Sequence, residues 1–413
     1  MKIARVRALE ILDSRGNPTV EAQIELEDGT TACAQAPSGA STGIHEAHEL
    51  RDGDHTRFAG RGVLHAVRHV DQVLGPAVTG LDPADQSAID TRLIETDGSA
   101  NKARLGANAI LAISCAAARA AATAKKIPLW KHLAESAGTT PKLPVPMVNM
   151  ISGGQHASGR PLEFQDFLVI PRGYSGLTAA LEAVVQVHRE TFRALTKRGC
   201  VLTGVADEGG WGPSLESNEA AAETLREAIE TTGANMDIAL DVASSQFFEN
   251  GAYRLEGRSL TSAEMIAHLA PWIGRYGIVS IEDPLAQDDW QGWIELTKSL
   301  GSQVRLVGDD FFATNLARLE QGIAQGAANA VLVKMNQIGT LTETFAVIRR
   351  AAEAGYGAVI SARSGETEDS FLADLAVASG AGQIKIGSIT RSERLAKYNR
   401  LLQIEKWELA TSD

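Results

Sequence analysis

The sequence predicts an α/β protein in which a β/α barrel follows a smaller unit of strands and helices. Three observations carry that reading. From Ile238 onward, apolar runs of strand length recur, each closing on a charged or polar residue, and their last residues lie 24 to 41 positions apart. That interval is about one strand plus one helix, and six such units in a row predict parallel strands closing into a barrel. Helical patterns fill the gaps, as at Thr261-Ser262-Ala263-Glu264, a capping box ahead of an apolar run. The chain ahead of Pro141 has another texture altogether.

From Lys2 to about Thr31, alternating runs such as Val20-Glu21-Ala22-Gln23-Ile24-Glu25-Leu26 predict antiparallel strands. From about Gly62 to Glu135 the period becomes helical, and the alanines between Leu105 and Lys125 predict a buried, closely packed helix. The stretch Gly138-Thr139-Thr140-Pro141-Lys142-Leu143-Pro144-Val145-Pro146 breaks any periodicity and reads as a linker, dividing the chain into residues 1–136 and 137–413. The predicted barrel strands then end at Asp241, Glu282, Asp309, Lys334, Ser361 and Lys385.

Composition narrows the function. With 39 Lys and Arg against 51 Asp and Glu, the net charge of −12 argues against a broad nucleic-acid surface. An anionic substrate remains compatible, because a few focused cations or a metal ion dominate a single cleft. The three cysteines, Cys33, Cys115 and Cys200, offer neither a disulfide framework nor a metal knuckle, which fits a reducing cytoplasm. The N-terminus has no apolar signal region, and the apolar stretch near Ala107 to Ala118 reads as too short to span a bilayer.

Strand ends in a β/α barrel converge on one mouth, so the list above becomes a constellation. Asp241, Glu282 and Asp309 are expected to face one another, with Lys334 and Lys385 across the opening. Three carboxylates in a low-dielectric mouth repel unless protonated or bridged by a cation, and an all-oxygen set suits Mg²⁺. Lys334 closes a buried-looking run, so desolvation and neighbouring cations are expected to lower its pKa toward that of a general base. The plain alternatives are helix caps or surface ion pairs for the acids, and salt bridges to barrel carboxylates for the lysines. Two Gly-rich loops, Pro37 to Gly43 and Ser152 to Arg160, can fold over a phosphate or carry the His156 imidazole, although loops of this kind are more often plain turns.

The ordered blocks are specific. Leu12-Asp13-Ser14-Arg15-Gly16-Asn17-Pro18, Pro37-Ser38-Gly39-Ala40-Ser41-Thr42-Gly43, Asp207-Glu208-Gly209-Gly210, Ser280-Ile281-Glu282-Asp283-Pro284, Lys334-Met335-Asn336-Gln337 and Arg363-Ser364-Gly365-Glu366 together resemble the enolase family, over nearly the whole chain. The resemblance implies an N-terminal α+β capping domain, a modified β/α barrel, a homodimer or dimer-based assembly, and two Mg²⁺ ions acting on a small phosphorylated carboxylate. Residue by residue, it implies Asp241, Glu282 and Asp309 as ligands of the first Mg²⁺ and Ser41 as the ligand that brings the second. Lys334 matches the base that removes the α-proton, and Glu208 the acid that assists departure of the β-hydroxyl. Asp166 and His156 join this acid–base group. Lys385 matches a carboxylate contact, Ser38, Arg363 and Ser364 match substrate or phosphate contacts, and Gln165 matches an active-site amide.

The chain also departs from the family pattern. Ala362 stands where enolases have His, Asp166 where they have Glu, and Gln246 where they have Glu, while Arg160-Pro161 stiffens a lid. The metal and base half of the site is kept, and the phosphate and leaving-group half is altered. The Ala362 exchange opens volume beside the phosphorus, so a substrate whose phosphorus or phosphonate carries an additional group is expected, as in carboxyphosphonoenolpyruvate synthases. A genuine phosphopyruvate hydratase and a weakly active binding protein are the other expectations.

Overall fold

The computed structural model describes residues 1–39, 43–157 and 162–409. Strands β1 (Ile3–Leu12), β2 (Pro18–Leu26) and β3 (Thr31–Gln35) form an antiparallel meander in the order β1-β2-β3. Val20, Ala22, Ile24 and Leu26 alternate inward, as the period-two pattern requires. The alanine-rich segment is the helix Ala107–Lys125, which packs across β2 and β3. At 19 residues it is long and apolar enough to cross a membrane, contrary to the expectation from the shorter stretch 107–118. The helix simply continues past Arg119, whose charge is held by Asp369 at 2.6 Å, and 83% of the apolar window is buried inside the protein.

Residues 139–144 carry no regular secondary structure. The barrel begins inside the stretch read as a linker, with β4 (Val145–Ser152), followed by β5 (Asp166–Pro171) and β6 (Met236–Asp241). Pro146 is tolerated because it is the second residue of β4, where the ladder is only starting. After β6, three short strands, β7 (Phe248–Glu249), β8 (Ala252–Leu255) and β9 (Arg258–Leu260), form a side sheet. Then β10 (Ile278–Glu282), β11 (Arg305–Gly308), β12 (Ala330–Val333), β13 (Gly357–Ser361) and β14 (Gln383–Gly387) complete an eight-stranded closed barrel, β14 pairing back onto β4. The expected all-parallel ring is corrected at one strand. β5 runs antiparallel to both β4 and β6, so neither the β4–β5 nor the β5–β6 connection crosses over from one end of the barrel to the other.

The predicted capping box forms, with Thr261 accepting from the Glu264 amide and donating its own amide to the Glu264 carboxylate at 2.8 Å. Inside the barrel, Met147, Leu168, Ile170, Ala239, Val307, Ala330, Leu332 and Val359 form a separate apolar plug. Polar layers lie at its two ends. The N-terminal part docks on the barrel through buried polar contacts, among them Ser38 with the Gly365 backbone and Lys102 with Glu343 at 3.0 Å.

Candidate active site

Register places the acids side by side. Asp241 on β6 pairs with Glu282 on β10, and Asp166, the first residue of antiparallel β5, pairs with Asp241 from the other side. Lys385 on β14 reaches between the first two, donating to Asp241 and Glu282 at 2.7 Å each. Lys334, just beyond β12, donates to Asp309 at 2.5 Å, and the Gln337 amide donates to the other Asp309 oxygen at 3.0 Å. Asp283, held at φ +40°, accepts from the backbone amides of Asp309 and Asp310 and so fixes the loop that carries them.

These pairings correct one expectation. Burial disfavours the Lys334 ammonium, but Asp309 outweighs it, and the pKa is raised, not lowered. Lys385 is likewise held charged, since Asp241 and Glu282 overcome its burial. The plain salt-bridge alternative thus describes both lysines in this structure. Negative charge nevertheless remains in excess. Burial, and after it the Asp309 charge, push Asp310 up to about 7, while Glu282 Oε1 is buried with no hydrogen-bond partner. An acid-rich oxygen set with an orphaned carboxylate oxygen fits a hard divalent cation. Asp283, Asp309 and Asp310 also present carboxylate oxygens within 4.8 Å of one another.

A second cluster lies on the β4–β5 side. His156 Nδ1 contacts Asp166 at 3.1 Å, and Nε2 stands 3.8 Å from Glu208. Asp166 also accepts from Ser152 at 3.1 Å and from Asn149. Burial alone would depress the imidazole, but Asp166 and then Glu208 lift its pKa to about 9. Gln165 donates to Asp241 at 3.0 Å and accepts from Gln246 at 2.6 Å, so the amide that replaces an acid at position 246 is locked to a neighbouring amide.

One cavity of about 40 Å³ is lined by His156, Gln165, Glu208, Asp241, Asp309, Lys334, Ala362, Arg363, Ser364 and Lys385. Lys334 and Lys385, each bound to carboxylates, narrow the mouth. Asp166 and Glu282 stand behind this lining and act on it through His156 and Lys385. Ser38 is not part of it. Its hydroxyl donates to Glu49 and accepts from Arg51, and its backbone bridges Gly365. Ser41 lies outside the described residues, as do Arg160 and Pro161.

Several residues went unnoticed in the sequence. Glu46, from the N-terminal part, is buried against Arg363 at 3.0 Å, and Asn336 accepts from the same guanidinium at 2.9 Å. Asp283, Asp310 and Gln337 position Asp309. All three sit inside or beside quoted motifs, whereas nothing local marks Glu46.

A family model described as the enolase N-terminal domain matches residues 3–133, and one described as the enolase C-terminal TIM barrel domain matches residues 140–412. The chain belongs to the enolase family. It is therefore an enzyme of the enolase superfamily, and enzymes of the enolase family are Mg²⁺-dependent and bind small phosphorylated carboxylates.

Proposed function

We propose that this enolase-family enzyme acts on 2-phosphoglycerate- or phosphoenolpyruvate-type substrates and has diverged toward carboxyphosphonoenolpyruvate synthase-like phosphonoformate transfer in phosphonate biosynthesis, keeping the enolase-type removal of water as its half-reaction. The observation that carries the reading is Ala362. It lines the cavity between Arg363 and the Lys385 strand, where a methyl replaces the family's imidazole. Asp241, Glu282 and Asp309 would hold one Mg²⁺, and a second, with Ser41, is part of the same reading. Mg²⁺, when bound, neutralises the charge that develops on the substrate carboxylate as its α-proton leaves.

Lys334 is the base in this reading, its Nζ available once Asp309 no longer claims it. Lys385 holds the substrate carboxylate. Glu208 delivers a proton to the departing hydroxyl, with His156, charged between Glu208 and Asp166, as the reservoir of that proton. Arg363 and Ser364 contact the phosphorus oxygens. A homodimer or dimer-based assembly belongs to the proposal as well, supported by the exposed Leu9 and Leu12 on the sheet-edge strand β1.

The second reading, an ordinary phosphopyruvate hydratase, is favoured by the complete acid and lysine set. Incubating the protein with Mg²⁺ and 2-phosphoglycerate and following phosphorus NMR separates the two. Slow conversion is expected. Turnover at the roughly 10 to 10³ per second of efficient enzymes would overturn the specialised reading.

A further inference from the structure

The opposite end of the barrel holds a charge that no carboxylate balances among the described residues. Register sets Ser280 on β10 directly beside Arg305 on β11, and Ser280 beside Ala239 on β6. Ala239 belongs to the apolar plug, so this row points into the barrel. Along the same strand Glu282 follows Ser280, and along β14 Lys385 follows Gln383, so the row sits one layer below the active site. Arg305, Ser280 and Gln383 therefore face the N-terminal mouth, in a cavity of about 510 Å³ that also reaches Asp237, Asn329 and Gly357.

Arg305 is half-buried, and its one hydrogen bond among the described residues goes to the Gln383 side-chain oxygen. Burial weakens its charged form, and no carboxylate offsets this. Ser280 is 2% exposed, and its hydroxyl has no partner among the described residues. Of the other polar groups lining the cavity, Asp237 is paired with Arg172 at 3.4 Å and the Asn329 amide with Gly301, Val304 and Leu306 of the backbone, while Ser302 and Gln303 complete the lining. Gly357 leaves the guanidinium its space, since a Cβ there would stand 3.2 Å from Nε. A half-buried cation without a counter-ion and a buried hydroxyl without a partner among the described residues, side by side in one cavity, are complementary to an oxyanion. The planar guanidinium fork suits two oxygens of one such ion.

We propose that the N-terminal mouth of the barrel is a second binding site, for a phosphate-class oxyanion, with Arg305 as its charge partner and Ser280 as a hydroxyl donor. The ion is either free phosphate or the phosphoryl group of a metabolite. The site opens at the other end of the barrel from the active site and does not depend on the reaction proposed above.

Calorimetric titration of the full chain with inorganic phosphate tests it. Wild type should bind one more phosphate per chain than Arg305→Gln, and Ser280→Ala, which keeps the charge, should bind that phosphate severalfold more weakly. Without phosphate, Arg305→Gln should melt at or above the wild-type temperature, because it removes a half-buried charge without a counter-ion, and only wild type should gain the additional phosphate-dependent rise. Equal stoichiometry and affinity in all three proteins would overturn the site, as would a phosphate-free melting temperature lowered by Arg305→Gln, which would make the guanidinium a structural group. Should Arg305→Gln not fold, the Ser280→Ala titration decides alone, unchanged affinity counting against the site. Competition by ribose 5-phosphate against inorganic phosphate distinguishes a metabolite's phosphoryl group from the free ion.

Discussion

Replacing Asp166 by Asn should strip His156 of its proton near neutrality. The imidazole is buried, with Asp166 at 3.1 Å on one nitrogen and Glu208 at 3.8 Å from the other, and its pKa is lifted from 6.5 to about 9. That lift is worth about 3 kcal/mol of coupling to the folded state, an upper figure because Glu208 and Asp166 titrate with it. Since the native pKa lies above the unfolded one, the stabilisation is complete below pH 6.5 and is lost as pH rises toward 9. In Asp166→Asn the largest favourable charge is gone, so the native pKa should fall toward or below 6.5 and that slope should vanish. Histidine Cε1–H resonances followed from pH 5 to 10 report the titration, and urea unfolding at the same pH values reports the stability. A wild-type His156 that titrates near 6.5, or a variant that keeps the alkaline slope, would refute the account of a proton held between two carboxylates.

Other outcomes follow from the mouth of the barrel. Asp309→Ala should weaken Mg²⁺ binding by calorimetry by more than about 10²-fold, since even groups that only support a ligand cost 10 to 100-fold; unchanged affinity would remove Asp309 from the metal set. Lys334→Ala should slow exchange of the 2-phosphoglycerate α-hydrogen in D₂O by about 10² to 10⁴, the usual contribution of one positioned base, and wild-type rates in the variant would dismiss Lys334 as that base. Ala362→His, alone or with Asp166→Glu, should raise 2-phosphoglycerate dehydration by a similar factor of about 10² to 10⁴; no gain would mean that the missing imidazole is not what limits that substrate.

Legibility was uneven, for physical reasons. Asp241, Glu282, Asp309 and Lys385 were found because a parallel strand announces itself as an apolar run, and its C-terminal end is fixed by the barrel rule. β4 and β5 lacked that signature: β4 starts in a proline-rich stretch, and β5 reverses direction, so Asp166 lies at a strand's beginning. The state of Lys334 depends on a 2.5 Å approach to Asp309, which spacing along the chain does not specify. Glu46 was invisible because its partner Arg363 is 317 residues away.

The closure of the barrel through β14 and β4 has a consequence for synthesis. These strands come from opposite ends of the barrel-forming stretch, so the ring stays open until β14 has left the ribosome. The local hairpin of β4 and β5 can pair early, but one edge of β4 then waits, with unpaired backbone groups, for its last neighbour. An unfinished or C-terminally shortened chain would carry that sticky edge permanently, making it a client for chaperones and a seed for aggregation.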